Sequence, residues 1–337
     1  MKDILYKKEL AEINMGIPTN DEEQTFSTSE LYENVLGKIK NILGEAGVQT
    51  DEEIVTNEVK GEDSNLVFRI DCGKLSFALK VFSDSKESAQ FYSNKMFNKL
   101  LIENDIPTPK IIYSNNNLGI LPASWIMWEW VPGEPSCEVE LETERHDIAV
   151  KTGIELRKIH EIKMPGFGCI DSNNEWPGED IKWTTDFFVK RIQNLIEKGG
   201  STFSEKELTD ILRMTAESEE LLSFSEPRLL HGDITGGNIL VSNSGSITFI
   251  DPGEIIAGDP LSDLGYSQAT NLNPIFREGI WEGYTKKSPL TEKEHSRFLR
   301  WRLLRQSVIA CRAVLNNDKN AKNYINDAKT FLEELVV

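Results

Sequence analysis

The apolar positions of this chain change their period along its length. In SELYENVLGKIKNILGEAG, residues 29–47, Leu31, Val35, Ile39 and Leu43 recur at every fourth position, which predicts an amphipathic helix with Ser29 as its N-cap. From Glu53 the pattern turns β-like: EIVTNEV, NLVFRID and KLSFALKVF are short runs rich in β-branched and aromatic residues, separated by the turn clusters KGEDS and CGK. Consecutive hairpins are the simplest topology for them. A helix is expected from Glu87 to Glu103, with Phe91, Phe97, Leu100 and Leu101 as its apolar positions, and the prolines of DIPTPKII end it in an extended segment. ASWIMWEWV reads as a further strand that runs into Pro132-Gly133. Beyond that turn, residues 142–162, 184–198, 205–223, 274–286 and 292–335 are helical in period, and a β-rich island at 229–256 interrupts them.

This order predicts an α+β fold of two unlike lobes, the first small and β-rich, the second larger and mostly helical. The expected divisions are a helical N-terminal extension at 1–45, an N-lobe at 46–131 and a C-lobe at 132–337. A length of 337 residues suits two lobes and excludes a single small module. No internal repeat or low-complexity tract is visible.

Charge narrows the partners. Against 37 Lys+Arg stand 55 Asp+Glu, a formal net charge of −18 that repels nucleic acid and anionic membrane surfaces and favours small cations. Cys72, Cys137, Cys169 and Cys311 are too far apart for a CxxC redox pair or a zinc spacing, so reduced structural thiols are expected. No stretch is long and apolar enough for a membrane span, and charges interrupt the apolar residues of MKDILYKKELAEI, so a soluble, cytoplasmic protein is expected. The oligomeric state is left open.

The chemistry concentrates in LLHGDITGGNILVSNSGSITFIDPGEIIAGDPLSDLGY, residues 229–266. Asp233 and Asn238 lie five apart, and Asp251 follows thirteen later across a hairpin of ILV, the turn NSGS and ITFID. Such a hairpin can converge three oxygen-bearing side chains. Asn238 and Asp251 supply hard oxygens suited to a nucleotide-bound Mg2+ ion, and Asp233 is then the group that orients an acceptor hydroxyl and takes its proton.

His-x-Asp-x4-Asn followed by a strand-borne Asp is the grammar of kinase catalytic and metal loops, here with Gly232 in the second position and Asp251-Pro252-Gly253 as the metal loop. HGDITGGNIL together with ITFIDPGEIIAGDPLSDL resembles the aminoglycoside phosphotransferase family, which has choline and fructosamine kinases as relatives. The resemblance covers about residues 55–285, and LRKIHEIKMPGFGCID and KWTTDFFVKRI are nearest the hygromycin phosphotransferase branch. It implies a protein-kinase-like two-lobe fold and the phosphorylation of a small-molecule hydroxyl by ATP or GTP with magnesium.

Further residues follow from the resemblance. Lys80 in FALKVF stands where the family has its phosphate-binding lysine, and Ser64 lies in the segment that covers the phosphates. MWEWVPG resembles the interlobe linker, implying that the Glu129 carbonyl and the Val131 amide pair with the adenine edge. His231 is expected to be architectural, and Asp259 and Asp263 to cap the next helix or brace the catalytic loop, Asp263 resembling the family's bracing aspartate. One departure stands out. Where the family's helix carries a Glu for the strand lysine, this chain has Asn94, and either Glu87 reaches Lys80 from further upstream or Asn94 makes a neutral hydrogen bond.

The acidic runs at 134–147 and 216–226 are solvated faces or a cation-attracting rim of the acceptor cleft, and Trp183 and Trp281 are candidate aromatics for lining it. An aminoglycoside is the leading acceptor. The alternatives are a metabolite such as choline or a fructosamine, or a degenerate kinase fold that only binds nucleotide. A protein kinase fits less well, because GDPLSDL begins so soon after Asp251 that little room is left for a long activation segment.

Overall fold

The structure is a computed structural model that describes residues 28–59, 65–82, 89–200 and 202–336. Helix α1 (Thr28–Glu45) precedes the hairpin strands β1 (Ile54–Glu58), β2 (Leu66–Cys72) and β3 (Leu75–Val81), which are followed by α2 (Ala89–Glu103), β4 (Ile111–Asn115) and β5 (Trp125–Glu129). The strands form one antiparallel sheet in the order β1-β2-β3-β5-β4. The segment expected to be merely extended after α2 therefore becomes the edge strand β4. Strand β5 lies between β3 and β4, with Trp125 and Met127 in one core cluster and Ile126 and Trp128 packed on Phe82 and Phe91 on the other face, which is why the four form an unbroken apolar run.

Alternation decides which face looks where. Leu66, Phe68, Ile70 and Cys72 of β2, with Phe77, Leu79 and Val81 of β3, point to one face, and α1 lays Leu31, Val35, Ile42 and Leu43 on it. All of these are buried, each large side chain contributing about 1.5–3 kcal/mol of transfer free energy. Helix α1 is thus a layer of the same core as the sheet. The opposite face carries Val67, Ala78, Lys80 and Trp128, which line a cleft towards the second lobe.

The second lobe contains β6 (Glu134–Pro135), α3 (Glu142–Ile159), α4 (Ile181–Glu197), α5 (Glu205–Met214), α6 (Glu219–Leu222), β7 (Arg228–Leu229), a 3-10 turn at Gly236–Asn238, β8 (Ile239–Val241), β9 (Ile247–Phe249) and β10 (Ala257–Gly258). It ends with α7 (Pro260–Ser267), α8 (Pro274–Thr285), α9 (Glu292–Leu315) and α10 (Ala321–Val336). Helices α3 and α8 pack closely because Gly279 and Gly283 present no side chain to Ala149 and Val150. Helix α9 is the spine, with Trp301 fully buried and contacts to α4, α7 and α10. Phe97 and Leu101 of α2 belong to this lobe's core, and the Phe249 N–H donates to the Pro107 carbonyl at 2.9 Å, so the lobes are stitched behind the cleft.

The predicted helices are present with local revisions. The stretch at 205–223 divides at Thr215, and Ser218 caps the short helix after it. The stretch at 292–335 divides where Asn316 closes α9 and Asn317 takes a left-handed φ of 54°. Helix α4 starts before Thr184 because Asp180 accepts the Lys182 N–H as N-cap.

Candidate active site

The catalytic loop is shaped by backbone constraints. The Leu230 N–H bonds to the Ile256 carbonyl, the Gly253 N–H bonds to the His231 carbonyl, and Gly232 between them adopts φ 80°. A Cβ on Gly232 would run into the Ile255 carbonyl, so the residue between His231 and Asp233 has to be glycine. The turn is gripped from behind by Asp263 of α7, whose carboxylate accepts the His231 N–H at 2.6 Å and the Gly232 N–H at 2.9 Å. His160 Nε2 adds a third contact at 3.2 Å, while its Nδ1 meets the Tyr284 hydroxyl at 2.8 Å. Burial pushes the Asp263 carboxyl up, but the His160 hydrogen bond and the surrounding positive charge outweigh it and hold the group below its ordinary value.

His231 is fully buried against Phe97 and Phe249. Its Nδ1 lies 3.3 Å from the Asp233 N–H, which can only donate, and its Nε2 lies 3.1 Å from the Ile250 carbonyl, which can only accept. This pattern is satisfied by the neutral ring. Burial depresses the His231 pKa further than the neighbouring Asp263, Asp233 and Asp251 raise it.

Four side chains meet in one interlobe cavity of about 910 Å³: Lys80, Asp233, Asn238 and Asp251. Asn238 Nδ2 donates to the Asp233 carbonyl at 2.8 Å and to Asp233 Oδ2 at 3.0 Å. The amide nitrogen is therefore committed, and Oδ1 is the atom left for a cation. Asp251 sits at φ 53°, and its Oδ1 receives Lys80 Nζ at 2.5 Å. Lys80 is only 5% exposed, carried inward by the cleft face of β3.

The linker also lies on this cavity. Glu129 pairs with Phe77 in register, while the neighbouring Trp130 N–H donates to the Ser76 carbonyl at 3.0 Å. In an antiparallel ladder the intervening peptide groups face the other way, so the Glu129 carbonyl and the Val131 amide both turn from β3. The Glu129 N–H, on that side, donates to the Lys110 carbonyl at 2.9 Å.

Other expected residues lie elsewhere. Ser64 and Glu87 fall outside the described residues. Asn94 lines the cavity, but its Nδ2 donates to the Gln90 carbonyl within α2 at 2.9 Å, and the lysine's observed partner is Asp251. Asp259 is buried at the start of α7, where it accepts the Leu261 N–H, Arg297 Nε at 2.8 Å and Trp301 Nε1 at 2.9 Å. Trp183 stacks on Phe187 beside Gly168 and Gly178, and Trp281 packs on Phe298, so among the described residues neither lines the cavity. Of the acidic runs, the first reaches the cavity through Glu138, whereas Glu220 and Glu226 of the second pair with Arg300 and Arg228.

Two groups beside Asp233 escaped the motif reading. The Tyr266 side chain of α7 lies on the same cavity as Asp233, and burial with that negative neighbour pushes its pKa well up. Arg305 of α9 stacks 4.2 Å from the Tyr266 ring and donates to the Gly232 carbonyl at 2.9 Å. The tyrosine of DLGY was visible as a polar aromatic after a helix cap. The arginine carried no sequence signal, because α9 meets the loop only in the folded chain.

Residues 56–298 match the family described as "Phosphotransferase enzyme family". A protein of Staphylococcus aureus (strain NCTC 8325 / PS 47), named "Probable ketoamine kinase", is 26% identical over 250 residues, 73% of this chain and 83% of that one. A namesake from Lactiplantibacillus plantarum (strain ATCC BAA-793 / NCIMB 8826 / WCFS1) is 22% identical over 244 residues, covering 69% of this chain and 79% of its own. Among solved structures, a thermostable mutant of aminoglycoside phosphotransferase APH(4)-Ia, in ternary complex with ADP and hygromycin B, superposes with a TM-score of 0.62 at 14% identity. That match covers 88% of this chain and 97% of the other.

Proposed function

The chain belongs to the phosphotransferase enzyme family, and from that premise we propose that it moves the γ-phosphoryl group of ATP or GTP onto a hydroxyl of a small polyhydroxylated amine. The observation that carries this reading is the convergence of Lys80, Asp233, Asn238 and Asp251 on one cavity. Asp233 orients the acceptor hydroxyl and takes its proton, while the Asn238 amide fixes the carboxylate. Lys80 braces the triphosphate from the sheet side, and the Glu129 carbonyl and Val131 amide bond the purine edge.

Asn238 Oδ1 and the Asp251 carboxylate form a hard-oxygen donor pair on the cavity wall, which fits magnesium. When bound, the ion neutralises charge on the phosphates. The remaining contribution of the protein is positioning: the buried Asp263 and the neutral His231 hold the loop so that the Asp233 carboxylate needs no rearrangement.

Two acceptor classes are compatible with this chemistry, an aminoglycoside and a sugar-derived metabolite. A ketoamine, a sugar carrying a substituted amine, is favoured by the names of the Staphylococcus and Lactiplantibacillus relatives. The test is turnover with magnesium ATP and magnesium GTP on matched panels of ketoamines and aminoglycosides, for the wild type and Asp233→Asn. Ketoamine phosphorylation is expected, with kcat lower by about 10²–10⁴ in the variant and nucleotide affinity little changed. Transfer that is indifferent to Asp233→Asn removes the mechanism, and phosphorylation of aminoglycosides alone removes the ketoamine reading.

A further inference from the structure

The cavity extends past Asp233 along one face of α9. Ile309, Arg312, Ala313 and Asn316 line it, at the spacing of a single helical stripe, and Arg305 lies one turn before Ile309 on the same stripe. Arg305 is anchored to the Gly232 carbonyl, next to Asp233. Seven residues at about 1.5 Å rise place the Arg312 backbone about 10 Å further along the helix axis. Tyr266 lines the same cavity as Asp233 and Arg312. Asp233 and Arg312 are therefore the two ends of one acceptor-sized compartment, with Tyr266 between them.

Arg312 differs from the other arginines of its helix. Arg297, Arg300 and Arg302 are each in an ion pair, with Asp259, Glu220 and Glu334, and Arg305 is held by a carbonyl and two aromatic rings. Among the described residues no ion pair and no side-chain hydrogen bond engages Arg312, although acidic groups outnumber basic ones in the chain by 55 to 37. The other charged side chains on this part of the cavity are Arg145, Glu138 and Asp318. Arg145 gives its guanidinium to the Val139 carbonyl, Asp318 accepts the Asn320 N–H, and Glu138 stands on the rim.

We propose that Arg312 is the anion-recognising residue of the acceptor site, and that the acceptor carries a carboxylate on its amine substituent, as in the ketoamine formed from a sugar and an amino acid. The inference rests on the ketoamine reading above and specifies it. With the sugar hydroxyl at Asp233, the amine and its substituent extend along the α9 stripe, and a planar carboxylate matches the guanidinium fork. An acceptor ending in a neutral or cationic group leaves the exposed Arg312 guanidinium to solvent.

The experiment compares the fructosyl adducts of glycine and glycinamide, which differ only in the carboxylate, using ADP release with magnesium ATP. The wild type is expected to favour the glycine adduct by about 10- to 100-fold in kcat/KM, chiefly through KM. Arg312→Gln should lose that preference by raising KM for the glycine adduct, Arg312→Lys should retain part of it, and Arg312→Glu should reverse it. Unfolding midpoints and KM for ATP in each variant separate lost recognition from lost fold. Equal use of both adducts by the wild type, or a preference that survives Arg312→Gln in a folded variant, overturns the inference and leaves the ketoamine reading standing. Failure to phosphorylate either adduct overturns both.

Discussion

Lys80 on β3 and Asp251 after β9 meet across the cleft at 2.5 Å, although they are 171 positions apart in sequence. The strand lysine is thus held by the lobe that carries Asp233, and Asn94, at the helix position facing it in the motif reading, bonds within its own helix. The lysine's placement is consequently coupled to the approach of the two lobes.

This arrangement distinguishes two substitutions. Lys80→Met should lower kcat/KM by about 10²-fold or more, since it removes a preorganised charge from the phosphate side of the cavity. Asn94→Ala should stay within about threefold of the wild type, because its amide serves α2. Steady-state ADP release measures both, and a loss for Asn94→Ala comparable to that for Lys80→Met would contradict the coupling.

Gly232 provides a test of the loop's backbone. Its φ of 80° and its approach to the Ile255 carbonyl exclude a side chain, so Gly232→Ala should destabilise the protein by about 1–3 kcal/mol. Because Arg305 holds the Gly232 carbonyl itself beside Asp233, a shift of this turn should lower kcat as well. Urea unfolding together with turnover checks this, and an alanine variant of wild-type stability would show that the loop can relax.

The pH dependence of stability follows from His231. Its folded pKa lies below the ordinary imidazole value of 6.5, so the unfolded chain binds the proton more readily and stability is lost as pH falls. The contribution is complete above about pH 6.5 and declines below it, towards the depressed value. Asp263, also depressed, adds a second loss only as pH drops below the carboxylate's ordinary 3.8. Unfolding free energies between pH 7.5 and 5.5 should decrease, less steeply in His231→Gln than in the wild type. An equal slope in both proteins would assign the decrease to other groups.

The legible parts of this molecule are those whose determinants are close in sequence. The β2 alternation, the turn NSGS and the spacing from Asp233 to Asn238 and Asp251 are local patterns, and the structure forms each of them. A break such as Asn316-Asn317 is also local, but a run of favourable helix periods on both sides concealed it. The compartment beyond Asp233 was not legible. Arg312 enters it, and Arg305 reaches the Gly232 carbonyl, through the packing of α9 against α7, so the sequence between them and the motif says nothing of their meeting. Trp183 and Trp281 show the converse, for a large aromatic at helical spacing fills the interior unless tertiary contacts leave it at a wall.

The placement of α1 bears on how the protein can be divided. Similarity to the family begins at residue 56, yet the apolar side of the sheet is roofed by residues 31–43. A recombinant fragment trimmed to the homologous boundary would leave Phe68, Ile70 and Leu79 open to water and invite self-association. The smallest piece able to stand alone is therefore longer than the stretch that matches the family by sequence.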